Sequence, residues 1–291
     1  MSMSPTPSRA LPAGLAPASK VLQEIGRPRK IRPRKWHVSK GVPTISNSNI
    51  LGRLVTMASI PTTEKVIPYA LLGMTAVTGL VDAVSLLTLG HVFVANMTGN
   101  IVFLAFAAMG VPDVSVARSL TAVSAFLVGA VLGGRIMART TPDSQFRPAV
   151  VAFAFELAFL AAATLVSVGY KAPSSANVLQ SYGLIALTAF AMGTRNAAVR
   201  KLAVPDLTTT VLTLTITGLA ADSSLAHGNN PRWGRRAASI MAMFAGASVG
   251  VIAIRSSVFL ALALAVGVLA ACGLALILSF RSASSGVNNA E

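Results

Sequence analysis

Apolar and polar positions along this chain alternate in long blocks rather than in short periods. From Val66 onward, runs rich in Leu, Val, Ala and Ile follow one another with brief polar breaks. The runs are Val66–Leu89, Val92–Gly110, Val116–Met137, Ala149–Val168, Leu179–Val199, Thr208–Ala221, Ala238–Ile254 and Val258–Phe280. A helix needs roughly 20 apolar residues to cross a bilayer. Most of the runs meet that length, whereas the threonine-rich sixth falls short. Gly, Ala and Ser are scattered through all of them, which suits close helix packing in lipid.

Composition agrees with this pattern. The 291 residues are 54% hydrophobic and 11% charged, with a mean hydropathy of +0.69. Soluble domains carry about 25% charged residues, so the pattern predicts an all-α polytopic membrane protein. One cysteine, Cys272, and three histidines, His37, His91 and His227, are spread far apart. That excludes an intrachain disulfide and argues against a metal centre or bound cofactor. No nucleophile elbow, phosphate loop or zinc-protease pattern is present, so an enzyme is not expected.

The net charge of +15 does not imply nucleic acid, because much of it lies in one tail. Residues 1–65 are rich in Ser, Pro and Arg and are expected to be a disordered basic extension beside the anionic leaflet. Met57 opens a short polar lead into the first apolar run, so a native start there, with most of the tail untranslated, is the expectation. Residues 281–291 are expected to be a disordered C-terminal tail.

Two halves repeat. Asp82-Ala83 aligns with Asn196-Ala197 at a displacement of 114 (196 − 82). Asn96-Met97-Thr98 falls near Val211-Leu212-Thr213, at 115 (213 − 98). Gly129–Gly133 aligns with Gly246–Gly250 at 117 (246 − 129). The membrane domain, residues 66–280, is therefore read as repeat one, 66–170, and repeat two, 179–280. Charge sets the topology. If all eight runs cross, the loop Lys and Arg residues divide evenly between the two sides. If the second and sixth runs dip in and return, Arg135, Arg139, Arg147, Arg200, Lys201, Arg232, Arg235, Arg236 and Arg281 share one side. Only Arg118, Lys171 and Arg255 then lie opposite. The second arrangement obeys the positive-inside rule. It predicts about six transmembrane helices plus two short re-entrant or broken segments, in two inverted repeats.

Polar residues inside apolar runs mark candidate chemistry, because they are costly at membrane depth. The candidates for binding a substrate or ion are Asp82, Ser85, Asn96, Thr98 and Asn100 in the first half. In the second they are Arg195, Asn196, Thr213 and Thr215. Gly79 and Gly193 each precede the candidates at 82 and 196 by three residues, where a helix can break. Asp82 would hold a cation or proton and Arg195 an anionic group, or the two would simply neutralise each other. Glu156 is a lone carboxylate within the fourth run.

At these positions GLVDAVS (Gly79–Ser85), VFVANMTGN (Val92–Asn100) and RNAAVRKLAVPDLTTTVLTLTITGLAAD (Arg195–Asp222) resemble the bacterial YoaK family, also called DUF1275. The resemblance covers about Val66–Phe280 and implies integral membrane proteins of about six helices. It implies no substrate and no catalytic residues. The expected function is a small-solute transporter or channel in the bacterial inner membrane, with a midplane polar site between the repeats. The alternative is a non-transporting assembly or sensory partner. Expected partners are the lipid bilayer and a small solute or ion, with self-association left open.

Overall fold

A computed structural model describes residues 47–139, 146–171, 177–202 and 212–288. Among these residues there are eight α-helices and no strand. They are α1 (Asn47–Thr88), α2 (Met97–Ala108), α3 (Val116–Met137) and α4 (Phe146–Val166), then α5 (Val178–Leu202), α6 (Leu212–Ala221), α7 (Trp233–Ile254) and α8 (Val258–Asn288). The protein is an all-α polytopic membrane protein. Four spans are long and apolar enough to cross: Pro68–Thr88, Val116–Met137, Trp233–Ile254 and Val258–Ser279. α5 has the length, at 25 residues, but carries Arg195, whose charge is turned wholly inward.

Helix α1 is described from Asn47, well before the expected Val66, and α8 continues to Asn288. Residues 1–46 of the expected extension lie outside the described residues, as do 203–211 at the start of the sixth run. The second run is short and broken, in line with the expected re-entrant or broken segment. Only 12 of its residues are helical, and 89–96 are turns and irregular backbone. The reason is local. Gly90 (φ 90°) stops α1 in a left-handed turn, and the His91 N–H reaches back to the Leu86 carbonyl at 3.3 Å. This is a Schellman-type ending that glycine permits.

At about 1.5 Å per residue, α2 and α6 span only about 18 and 15 Å, roughly half the hydrocarbon thickness. The turns flanking α2 lie together, since His91 Nδ1 sits 3.1 Å from the Asp113 carbonyl oxygen. The 91–113 segment thus enters and returns at one end of the bundle, here called end A. Tyr170, just after α4, donates its hydroxyl to the Thr88 carbonyl at 2.9 Å, placing the last turns of α1 and α4 at end A too.

Two glycine-lined seams organise the long helices. A Cβ at Gly246 would strike the Ala76 carbonyl of α1, and one at Gly250 would meet Leu80 O at 3.0 Å. In the other half, a Cβ at Gly129 would strike the Phe190 carbonyl of α5, and one at Gly133 the Thr194 carbonyl. The reciprocal glycines, Gly79 and Gly193, press on Met243–Ala247 and Phe126–Ala130. Every partner pair in one seam is matched in the other at the displacements of 114 and 117 read from the sequence. Neither Gly79 nor Gly193 breaks its helix, contrary to expectation. Both are places where backbones touch. α1 packs on α7 and α8, while α5 packs on α3 and α4. Each group of three thus takes one helix from one repeat and two from the other.

These seams make a sign-reversed prediction. Gly→Ala inside a helix ordinarily stabilises by about 0.5–1 kcal/mol. Gly129→Ala and Gly246→Ala should instead lower the melting temperature of detergent-purified protein, overpacking costing about 1–3 kcal/mol. Gly134→Ala, one position beyond Gly133 and with open space around it, should be neutral or stabilising.

Candidate functional site

Two polar constellations lie inside the bundle. The first serves the backbone. Residues 92–95 run back into the core without a helix, with Val92 and Val94 fully buried, and their N–H groups need acceptors. The Asp82 carboxylate supplies one oxygen, Oδ1, to Val94 N–H (3.1 Å) and Ala95 N–H (2.9 Å). Asn100, from the first turns of α2, clasps Phe93 from the other side. Its Oδ1 accepts Phe93 N–H at 2.9 Å, and its Nδ2 donates to Phe93 O at 2.5 Å. Gly99 lets the Phe93 ring lie against the backbone of α2. Asp82, Asn100 and a bent loop therefore form one closed hydrogen-bonded unit. Ser85 donates to the Asp82 carbonyl within its own helix. Asn96 and Thr98 are exposed.

The second constellation is ionic. Arg195 on α5 is 1% exposed, and Glu156 on α4 is fully buried. Their Nη1 and Oε1 stand 3.1 Å apart. Arg195 also donates to the Met74 carbonyl at 3.0 Å and to Thr78 Oγ1 at 2.5 Å, both on α1, and its Nη2 touches Met192 Sδ at 3.0 Å. The cation therefore joins the α5 group of helices to the α1 group. Arg195 Nε has no hydrogen-bond partner, and neither Glu156 oxygen accepts a hydrogen bond. The 3.1 Å approach is thus an ion pair off the N–H directions.

Of the two readings open for Asp82 and Arg195, direct mutual pairing does not occur. Arg195 pairs with Glu156, and Asp82 is engaged by backbone N–H groups. A broken chain in the core demands an acceptor more strongly than a cation that already has a carboxylate beside it. Glu156 was visible as a lone intramembrane carboxylate, but nothing in the spacing tied it to residue 195. Thr78 and Met74 carried no signal, since threonine and methionine are ordinary in apolar helices. Asn196 is half-buried and makes no side-chain hydrogen bond among the described residues. Thr215 is buried and Thr213 exposed, both on α6 and away from either constellation's partners. Among the described residues, no group of three or more His, Cys, Asp or Glu side chains is arranged to hold a metal ion.

Comparison with known proteins agrees with the fold. A family described as "Protein of unknown function (DUF1275)" matches residues 70–275. The UPF0700 transmembrane protein YoaK of Bacillus subtilis (strain 168) is 35% identical over 156 residues, 53% of this chain and 65% of that protein. The matched part thus spans slightly less than two thirds of that relative's length. No solved structure matches the chain.

Proposed function

The chain is a membrane protein that belongs to the DUF1275 family, and from that premise we propose that it carries a small solute across the bacterial inner membrane by alternating access. The observation that carries the reading is Arg195. It is a fully buried cation that bridges the two helix groups while keeping one donor unpartnered, beside a carboxylate with both oxygens short of hydrogen bonds. Intramembrane charge of this kind marks substrate or proton pathways by default. A solute or proton that engages Glu156 would compete for Arg195, weaken its hold on Met74 and Thr78, and free one group to rock against the other. α1 and α5 run in opposite directions, since the end of α1 and the start of α5 both lie at end A, where Gly90 and His91 share a cavity with Val178 and Tyr182. Matched repeats running oppositely are the usual frame for such motion.

The test uses purified protein in liposomes on a solid-supported membrane, with amino acids, carboxylates, phosphate and simple amines applied in turn. At least one should give a protein-dependent charge displacement that Glu156→Gln abolishes. Silence across the panel overturns transport, and a current that survives Glu156→Gln removes the central pair from it. Silence would favour the partner reading, in which the pair only holds the helices together.

Orientation is part of the same proposal. End A carries few basic residues, and the opposite end carries Arg135, Arg139, Arg200, Lys201, Arg232, Arg235 and Arg236. The positive-inside rule makes that opposite end cytoplasmic. In a Cys272→Ala background, cysteine at 113 should react with an impermeant thiol reagent in intact cells. Cysteines at 139 and 235 should both stay unlabelled.

A further inference from the structure

At end A the turn after α1, the start of α3 and the first two turns of α5 border an open cavity of about 460 Å³. That lies within the roughly 300–1,000 Å³ of small-molecule sites. Its polar lining is His91, Asp113, Ser115, Arg118 and Tyr182. The Arg118 side chain is half-buried, its guanidinium laid over Gly90, where any Cβ would collide with it. Gly90 is required by its φ of 90°.

The charges of this cavity are unspent. The described ion pairs are Glu156–Arg195 and Asp222–Arg236, so Asp113 and Arg118 line one space without pairing to each other. At the start of α7 the other half handles its arginine differently. Arg236 donates to Gly218 O at 2.5 Å and pairs with Asp222 at 2.8 Å. Arg118, near the same place on α3, has neither partner. His91 donates its Nδ1 proton to the Asp113 carbonyl, which leaves Nε2 as the ring's remaining polar atom. Two hydroxyls next in sequence to lining residues, Ser119 and Ser181, are buried with no hydrogen-bond partner.

We propose that this cavity binds a small zwitterion. Its oxyanion sits on Arg118 and its ammonium on Asp113, with Tyr182 and His91 Nε2 completing the polar shell. An oxyanion alone would leave Asp113 as a repulsive neighbour, and a simple amine would leave Arg118 as one. A ligand carrying both charges satisfies both. Guanidinium and carboxylate are the side chains that hold such groups by charge-assisted hydrogen bonds. Two sources share this chemistry: a free amino acid, and the phosphoethanolamine headgroup of a lipid, which the position at a bundle end brings within reach. The inference stands whether or not the protein transports.

The experiment follows thermal stabilisation and calorimetric binding on purified protein in nanodiscs. The probes are L-alanine and O-phosphoethanolamine, with acetate and ethylamine as one-charge controls. At least one bipolar probe should bind at least tenfold more tightly than either control. Arg118→Gln and Asp113→Asn should each weaken it tenfold or more, whereas Arg118→Lys and the distant Gly134→Ala should retain it. If the occupant is lipid, O-phosphoethanolamine should bind in phosphatidylglycerol nanodiscs and lose binding when phosphatidylethanolamine is included. If it is a free amino acid, L-alanine should bind equally in both. No binding of either bipolar probe, binding matched by acetate, or binding indifferent to both Arg118→Gln and Asp113→Asn overturns the proposal. Loss of binding in the double variant Arg195→Met with Glu156→Leu, but in neither Arg118→Gln nor Asp113→Asn, would assign the ligand to the central pair and overturn the proposal.

Discussion

Arg195→Met should nearly eliminate folded protein, and adding Glu156→Leu should restore it. Removing the cation leaves the Glu156 carboxylate at 0% exposure with no hydrogen bond and no counter-charge. Breaking one side of a buried ion pair costs about 3–5 kcal/mol, much of the margin of a typical domain. The Met74 carbonyl loses its added donor but keeps its place in α1, so the backbone adds little to that cost. Replacing both members by apolar groups of similar size removes the stranded charge and should recover most of the loss. The measurement is the yield of monodisperse protein after mild detergent extraction, with melting temperature as the second reading. A double variant no more stable than Arg195→Met alone would mean that the pair does not act as a unit. The restored double variant also separates folding from activity: under the proposed function it should fold and give no charge displacement.

The second large effect is expected at Asp82. Asp82→Ala removes the acceptor of two buried N–H groups, at Val94 and Ala95. Hydrogen bonds to a charged group are worth about 1.5–3 kcal/mol each, and a donor left buried without a partner costs more than one exchanged with water. The 92–95 loop should then leave the core, and the clasp of Asn100 on Phe93 should open with it. Asp82→Asn keeps an acceptor oxygen in place and should cost far less. Amide hydrogen exchange at Val94 and Ala95 reads this directly. Fast exchange in Asp82→Ala, near-native protection in Asp82→Asn and little change at Arg195 is the expected pattern. Equal loss of protection in both variants would show that the charge, rather than the acceptor geometry, holds the loop.

These two constellations divide the roles that the sequence had combined. Asp82 and Asn100 belong to the same motif and do meet, around a backbone that the motif itself breaks. Asn96 and Thr98 look equally polar in the sequence but are exposed, Asn96 just before α2 and Thr98 in its first turn. Spacing marks which residues are unusual for an apolar run. It does not reveal which face of a 12-residue helix is covered, because that depends on α3 and on a loop folded back against α1.

What the sequence determined alone is the class and the plan. Apolar run lengths fix an all-helical membrane protein, since a backbone in lipid must satisfy its own hydrogen bonds. The 114 and 117 displacements anticipate the matched seams, because close helix contact needs glycine at each touching point and both halves keep those glycines. The loop charges anticipate a second segment that returns to the end it left. Tertiary structure alone decided the partners. That Arg195 meets Glu156 rather than Asp82 follows from α5 packing on α4 within one group while its arginine reaches across to Met74 and Thr78 on α1. Charge attracts charge at any separation the fold allows, and a one-dimensional pattern carries no distances between helices 39 residues apart (195 − 156). The two groups themselves, each built from both repeats, exist only once the chain has crossed and returned.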